Sequence, residues 1–307
     1  MSSNDNFEYV ECNLCGLSSS NIVFVGKDIK YKTGLFSVVK CKKCGLVYTN
    51  PRPVQKIMAN YYPNEYWEME EVNNIRTFEK TLKKAAHNFI NKISYKVKVP
   101  PKRDGKILDI GCGDGSGLLK LKKEGWKTYG VEISDIAAKY AREKCELNVY
   151  TGTVEDAEFA DDYFDRVILS HVVEHLHDPK STLKEVNRIL KKDGILIICI
   201  PNVYSVEAKI FKKYWIGWDL PRHLYHYSPI TISSLLYKTG FNVLKIEYDN
   251  NPNNMLSSLQ YVLIDHHINP IIGLVFLYPF VNLASIILAK SKKSDSMVIY
   301  CKKNIDY

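Results

Sequence analysis

The chain has 307 residues, enough for one large domain and a smaller one. Hydrophobic residues make up 46% and charged residues 25% of the sequence, and no low-complexity tract or repeat is present, which excludes a fibrous or intrinsically disordered protein. The net charge of +8 is compatible with nucleic acid, an acidic substrate or an anionic membrane surface, and selects none of these partners.

The first fifty residues carry two Cys-x-x-Cys pairs, each followed by glycine. Residues 1–5 lack a signal-peptide pattern, so we expect reduced thiols and favour a metal site over disulfides. Strands predicted at 22–25 and 36–39 lie between the pairs. Two cysteine knuckles complete a closed site of four thiolates, the structural form of zinc binding, and a redox pair is the alternative. We predict a zinc-ribbon module over residues 1–50, with the ligands Cys12, Cys15, Cys41 and Cys44.

Residues 51–101 are predicted to form a linker and N-terminal helices. Prolines 51 and 53 favour an extended chain, and a Tyr-rich segment at 61–67 follows. These aromatic residues are expected to pack between the modules, with capping of a ligand site as the alternative. Apolar residues at helical spacing predict an amphipathic helix over 76–97, which ends before Pro100.

After residue 101, predicted strands and helices alternate. This alternation predicts an α/β fold with a parallel sheet covered by helices on both faces. Ligands of such sheets bind at the carboxyl ends of the strands. Strands are predicted at 107–110, 128–133, 148–151, 165–170, 194–200, 241–246 and 297–301, and helices at 116–124, 135–144, 181–191 and 230–240.

A glycine-rich loop follows the first of these strands, with the pattern Asp109-x-Gly111-x-Gly113-x-Gly115-x-Gly117. Glycine permits positive φ and close approach of a ligand to the backbone. The dinucleotide fingerprint G-x-G-x-x-G does not fit, because Ser116 and Leu118 stand where its third glycine would be. The predicted helix start after the loop offers unpaired N–H groups to an anionic group.

This pattern resembles motif I of class I S-adenosylmethionine (AdoMet) dependent methyltransferases. The second strand ends in Glu132, where an acid can accept hydrogen bonds from both ribose hydroxyls. The resemblance implies a Rossmann-like seven-stranded sheet over residues 102–307, whose last strand is antiparallel. It places Glu155 or Asp156 near the adenine amino group. The cofactor-binding residues that it implies are Asp109, Gly111, Cys112, Gly113, Gly115, Glu132, Ile133, Glu155, Asp156, Ser170 and His171.

The segment Cys44–Pro53 and the motif Glu174–Pro179 extend the resemblance to bacterial methyltransferases with an N-terminal zinc module, many of which act on sugars or cell-surface glycans. If residues 171–175 were helical, His171, Glu174 and His175 would share one face and could bind a metal ion. Some ubiquinone-type and RNA-end relatives use Glu-x-x-Glu-His there with a divalent ion. Here His171 replaces the first acid, and we favour a role in shaping the cofactor pocket.

A loop dense in His, Tyr, Arg and Asp follows the fifth strand of the alternating region, at residues 215–228. Such groups bind and deprotonate hydroxyls or amines. Its "DLPRHLYHYS" segment resembles the substrate side of the same methyltransferases. His223 is the first candidate for general base, since histidine accepts protons near neutral pH. Hydrogen bonds that only anchor the loop are the alternative role. The catalytic candidates are Asp219, Arg222, His223 and His226.

An insertion predicted at about 250–293 contains the uncharged apolar segment 271–289. A membrane crossing is not expected, because the strands on either side of the segment must join one sheet. Two alternatives stay open. The segment forms a buried or dimer-forming helix pair, or it contacts a membrane surface with Lys290, Lys292 and Lys293 facing anionic headgroups.

The sequence therefore predicts an AdoMet-dependent methyltransferase with AdoMet and zinc as cofactors. The expected acceptor is a small molecule, either a sugar, with or without a nucleotide carrier, or a lipid-linked glycan precursor, which implies polysaccharide biosynthesis in the cytoplasm or at the inner membrane face. Peripheral membrane contact and a homodimer are further expectations. An RNA methyltransferase that grips nucleic acid with its zinc module is an alternative, although no RNA motif is evident and nucleic acid is not expected as a partner. A non-catalytic membrane-associated scaffold is the other alternative.

Overall fold

The computed structural model describes residues 6–62, 99, 104–266 and 270–304, without the side chains of 270–276. The helix predicted at 76–97 and most of the Tyr-rich segment lie outside these residues. The described strands are β1 (Phe7–Glu8), β2 (Ser20–Lys27), β3 (Leu35–Cys41), β4 (Val47–Thr49), β5 (Arg52–Pro53), β6 (Lys106–Ile110), β7 (Lys127–Glu132), β8 (Asn148–Thr151), β9 (Phe164–Ser170), β10 (Leu190–Pro201), β11 (Tyr225–His226), β12 (Phe241–Tyr248) and β13 (Ser296–Lys303).

Seven strands form the main sheet, in the order β12-β13-β10-β9-β6-β7-β8. The pairs β6–β7, β7–β8, β6–β9 and β9–β10 are parallel, whereas β13 runs antiparallel to β10 and to β12. Ile107 and Leu108 of β6 are fully buried, as expected for a central strand covered on both faces. The predicted Rossmann-like sheet with an antiparallel last strand is confirmed.

Helices connect the strands and cover the sheet. Ser134 caps the start of the helix Asp135–Cys145 by accepting from the Ala137 N–H, and Asp178 caps the start of the helix Pro179–Ile189, whose first turn contains Pro179. The third helix ends earlier than predicted because β10 already begins at Leu190. The described α-helices are α1 (Ser116–Lys123), α2 (Asp135–Cys145), α3 (Pro179–Ile189), α4 (Val206–Phe211), α5 (Pro229–Lys238), α6 (Asn253–Asp265) and α7 (Pro270–Lys290).

The N-terminal cysteine module shares its sheet with the predicted methyltransferase region. Its four strands lie in the order β11-β4-β3-β2, and β11 comes from the loop predicted to carry catalytic residues. Tyr225 pairs with Tyr48, and His226 pairs with Val47. The module therefore fixes the position of this loop. The module boundary predicted at residue 50 divides the sequence, but strands from both sides of this boundary pair in one sheet.

Helices α6 and α7 form the insertion before the last strand and pack against each other. The hydroxyl of Ser285 on α7 donates to the carbonyl of Asn250, at 2.8 Å, just before α6. Within the parts of the chain that the structure describes, none of the helices has the length and hydropathy that a membrane crossing requires.

Candidate active site

The glycine-rich loop turns sharply between β6 and α1. Gly111, Gly113 and Gly115 have φ of +71°, +55° and +77°, a region that favours glycine. A Cβ on Gly111 would lie 2.5 Å from Val172 Cγ2, and one on Gly115 would lie 2.4 Å from Leu147 Cδ1. A Cβ on Gly113 would meet no atom within 4 Å. Packing within the protein thus requires two of the glycines, and the backbone is open at Gly113.

Glu132 holds this loop at the end of β7. Its side chain is buried, with the residue 4% exposed. The Gly113 N–H donates to Glu132 Oε2 and the Ser134 N–H donates to Oε1, each at 2.8 Å. Each carboxylate oxygen can accept a second hydrogen bond, so the residue can also bind hydroxyls of a ligand. The structure brings together Gly113 and Glu132, two predicted cofactor-binding residues.

Three other predicted cofactor-binding residues flank Glu132. Burial and the charge of Glu132 raise the pKa of Asp109 to about 7, so a cation bound nearby would favour its charged form. Ile133 is 69% exposed and offers an apolar surface to a planar group. Cys112 is buried, and its Sγ packs against Gly130, where a Cβ would lie only 2.7 Å away. Cys112 therefore contributes packing and backbone to the loop.

Glu155 and Asp156 lie on the loop after β8 and have partners within the protein. The hydroxyl of Thr182 donates to Glu155 Oε1 at 2.9 Å. Asp156 Oδ2 accepts from the hydroxyl of Thr153 at 2.7 Å. Both acids stabilise the loop, and their predicted contact with adenine stays a prediction.

A cavity of about 250 Å³ opens where β9 and β10 end. His171 reaches it from the end of β9, and Asp219 and His223 reach it from the predicted catalytic loop. The predicted cofactor side and substrate side therefore meet in one cavity. Its lining is Lys30, His171, His175, Pro201, Trp215, Ile216, Gly217, Asp219, His223, Asn254, Tyr261 and Asp295.

Four of these lining residues could not be predicted from any pattern in the sequence. Lys30 comes from the cysteine module, Asn254 and Tyr261 come from α6, and Asp295 precedes β13. Asp295 is buried, and burial together with the charge of Glu207 raises its pKa to about 8. No local pattern marks these positions, because only the tertiary fold brings them to the cavity.

His223 and His175 pack at a right angle in the cavity wall, with ring centroids 4.6 Å apart. His223 Nδ1 donates to the Gly217 carbonyl at 2.8 Å, whereas His175 Nδ1 lies 2.9 Å from the Tyr62 hydroxyl and 3.1 Å from the Arg222 carbonyl. A carbonyl only accepts, so the His223 ring carries its proton on Nδ1 and has a lone pair on Nε2. Burial, and second the electrostatic effect of His223, lower the pKa of His175 to about 4, so the His175 ring is neutral.

Glu174 completes this group. Residues 171–175 do not form the helical face considered above for a metal site, because His171 has φ of +56° and only Val173–His175 form a single 3₁₀ turn. Glu174 is buried; its Oε1 accepts from His171 Nδ1 at 3.3 Å, and its Oε2 has no hydrogen-bond partner among the residues that the structure describes. Donor atoms of Glu174, His175 and His223 lie within 4.8 Å of one another, a set that can hold a metal ion or stabilise a proton.

Arg222 makes a buried bridge between the cysteine module and the catalytic loop. The residue is 1% exposed, and its Nη2 lies 3.1 Å from Asp28 Oδ1 and 2.7 Å from Asp219 Oδ1. Burial raises the pKa of Asp219, but the hydrogen bond from Arg222 outweighs it and lowers the pKa to about 2. The predicted direct role of Arg222 in catalysis does not fit this geometry, because its guanidinium binds protein groups; Arg222 positions Asp219.

His226 also lies behind the cavity wall. The residue is buried, and its ring packs on Trp218 with centroids 4.8 Å apart. Burial, and second the repulsion that a protonated His226 would meet from a protonated His223, lower the pKa of His226 to about 3. Because it is neutral and outside the cavity lining, we assign it a packing role in place of the predicted catalytic one.

The four predicted zinc ligands come together in the N-terminal module. Their sulfur atoms all lie within 4.8 Å of one another, with Cys12 Sγ 3.4 Å from Cys44 Sγ and Cys15 Sγ 3.5 Å from Cys41 Sγ. A tetrahedral zinc ion with four thiolates has sulfur–sulfur distances of about 3.8 Å. All four are free thiols, so the set fits such an ion.

Comparison with known proteins gives one matching family. A family profile described as "Methyltransferase domain" matches residues 78–246, more than half of the chain. Uncharacterized protein MJ1252 of Methanocaldococcus jannaschii is 29% identical over 157 residues, which cover 50% of this chain and 61% of that protein. The ubiquinone biosynthesis O-methyltransferase of Rickettsia canadensis is 26% identical over 154 residues, which cover 46% of this chain and 64% of that enzyme. The chain thus spans less than two thirds of these relatives.

A solved structure supports the fold. One chain in the complex between the Haloferax volcanii Trm112 methyltransferase activator and a methyltransferase aligns with a TM-score of 0.51 at 16% sequence identity. The alignment covers 75% of this chain and 99% of that chain. At this identity the likeness concerns the fold alone.

Proposed function

Because the chain belongs to the methyltransferase domain family, we propose that it transfers the methyl group of AdoMet to a polar small molecule held in the cavity of about 250 Å³. The observation that carries the proposal is the position of His171. It follows β9, the strand next to the glycine-rich loop of β6, and it also lines the cavity that contains His223. A cofactor at the loop and an acceptor in the cavity would therefore be neighbours.

The residues at the ends of β6 and β7 fit AdoMet. Gly113 leaves the loop backbone open, and Glu132 keeps acceptor capacity for the ribose hydroxyls. Ile133 would cover one face of the adenine, and Asp109 would complement positive charge. AdoMet supplies an activated methyl group on a sulfonium.

We assign His223 as the general base. Its Nδ1–H is fixed by the Gly217 carbonyl, so Nε2 can take the proton of an acceptor hydroxyl or amine. The buried carboxylate of Glu174 stabilises the imidazolium that forms. Bound AdoMet would supply the methyl group to the acceptor oxygen or nitrogen, and His223 Nε2 would take the proton that this atom loses. The protein's main contribution is alignment of the two reactants.

The cavity chemistry supports a sugar or a lipid-linked glycan precursor as the acceptor. Asp219, Asn254, Tyr261 and Asp295 present carboxyl, amide and phenol groups, which suit several hydroxyls of one ligand. The resemblance to methyltransferases that act on sugars points the same way.

We further propose that Cys12, Cys15, Cys41 and Cys44 hold one zinc ion with a structural role. Four thiolates leave no open position for catalysis. The same module supplies Asp28, the buried partner of Arg222, and thereby supports the catalytic loop.

The test is transfer of labelled methyl from AdoMet into cell extract, followed by separation of lipid, nucleotide-sugar and RNA fractions. We expect label in the lipid or nucleotide-sugar fraction, with strong loss in His223→Ala and none in His266→Ala, the same change at an exposed histidine. Label in RNA alone would favour the nucleic-acid alternative. Label in no fraction would contradict the proposal.

A further inference from the structure

Helix α7 exposes an apolar face. Leu277, Phe280, Leu283 and Ile287 are 40%, 71%, 58% and 56% exposed. At about 100° per residue, these four positions fall within an arc of roughly 120°. The opposite side is anchored to the protein through Val281 and Ser285, which are buried. The four side chains thus form one continuous apolar face, referred to below as the α7 face.

Positive charge follows the α7 face directly. Residues 270–289 contain no charged side chain, and Lys290, Lys292 and Lys293 come next. All three lysines are exposed. An apolar helical face beside a basic cluster is the pattern of helices that lie in a membrane interface, with apolar side chains among the acyl chains and lysines at the headgroups.

We propose that the α7 face docks onto the anionic surface of a lipid bilayer, with α7 lying in the plane of the interface. Charge decides between this occupant and a second copy of the chain. The protein carries a net charge of +8, so pairing two copies opposes like charges, whereas an anionic bilayer complements them. A helix that lies in the interface also agrees with the finding that no described helix could cross a membrane.

The placement of α7 gives this contact a functional meaning. Helix α6 packs against α7, and Asn254 and Tyr261 of α6 line the cavity. A bilayer on the α7 face would therefore contact the helix that packs against one wall of the acceptor cavity. The docking itself does not depend on the proposed function, because it concerns only where the protein binds.

The experiment is co-sedimentation of the full-length protein with vesicles of phosphatidylcholine, alone or with 30 mol% phosphatidylglycerol. We expect binding to the anionic vesicles at least tenfold tighter than to the neutral ones. Phe280→Ser/Leu283→Ser should lose at least tenfold in affinity. Lys290→Gln/Lys292→Gln/Lys293→Gln should lose up to about a hundredfold, since each lysine near the surface contributes roughly fivefold.

The matched control is Ile22→Ser/Leu35→Ser, which removes similar apolar area at exposed positions of β2 and β3. It should bind like the wild type, and circular dichroism checks that every variant is folded. The proposal is overturned by absence of binding at millimolar lipid, by equal binding to both vesicles, or by wild-type binding of Phe280→Ser/Leu283→Ser. It is also overturned if this variant only dissociates a dimer, since a second copy would then be the occupant. Methyl transfer plays no part in the readout, so failure here leaves the proposed function standing.

Discussion

Arg222→Met probes the buried bridge between the cysteine module and the catalytic loop. Asp28 and Arg222 are separated by 194 residues in sequence, and each is 1% exposed. The guanidinium also donates to both carboxylate oxygens of Asp219 and to the Tyr61 carbonyl. Removing one partner of a buried pair leaves an uncompensated charge, at a cost of about 3–5 kcal/mol. We expect the free energy of unfolding to fall by about this amount.

Urea denaturation monitored by circular dichroism measures the change. Asp28→Asn/Arg222→Met should recover part of the loss, because it also removes the stranded carboxylate, and Arg222→Lys should be intermediate because lysine lacks the planar fork. A loss below about 1 kcal/mol in Arg222→Met would refute the reasoning, since this is the range of exposed pairs.

The bridge also predicts a pH dependence of stability. Arg222 lowers the pKa of Asp219 from 3.8 to about 2 in the folded protein. A lowered carboxyl pKa contributes stability that is complete above the unfolded pKa and is lost as the pH falls through the folded pKa. The wild type should therefore lose this contribution between about pH 4 and pH 2, and Arg222→Met should lack that part of the acid transition.

Three further predictions concern the cofactor, the base and the metal. Because the pKa of Asp109 is raised to about 7, affinity for the cationic AdoMet should increase as the pH rises through 7, and Asp109→Asn should flatten this dependence in calorimetry. His223→Ala should lower kcat by about 10²–10³-fold with the AdoMet Kd unchanged, and a Kd that rises in parallel would contradict its assignment as base. Elemental analysis should find one zinc per chain, absent in Cys12→Ser/Cys41→Ser and retained in His223→Ala; a second ion that His223→Ala removes would make Glu174, His175 and His223 a metal site.

Local patterns in the sequence were sufficient to predict the sheet and the glycine-rich loop. The apolar strands that carry Asp109 and Glu132 near their carboxyl ends are neighbours, because consecutive strands joined by a helix usually pair in parallel. The two Cys-x-x-Cys turns could be predicted equally well, because each needs a glycine with positive φ, and Gly16 and Gly45 have φ near +75°.

Local sequence patterns were not sufficient to predict the details of the acceptor site. His171, Glu174 and His175 resemble a helical face, but the positive φ of His171 breaks the helix, and Glu174 and His175 meet His223 instead. The sequence pattern indicates a catalytic role for Arg222, but in the structure Arg222 binds Asp28 of the cysteine module, which is distant in sequence. Long-range contacts of this kind depend on the tertiary fold and have no signature at fixed spacing.

Isothermal titration calorimetry of the purified protein with AdoMet tests the central claim most directly. We predict one AdoMet site per chain. Glu132→Gln should reduce the affinity for AdoMet by at least about a hundredfold, because the Gly113 and Ser134 N–H groups would then face an amide with only one accepting atom. A folded wild-type protein that releases no heat with AdoMet and gives no binding signal by equilibrium dialysis would contradict the account.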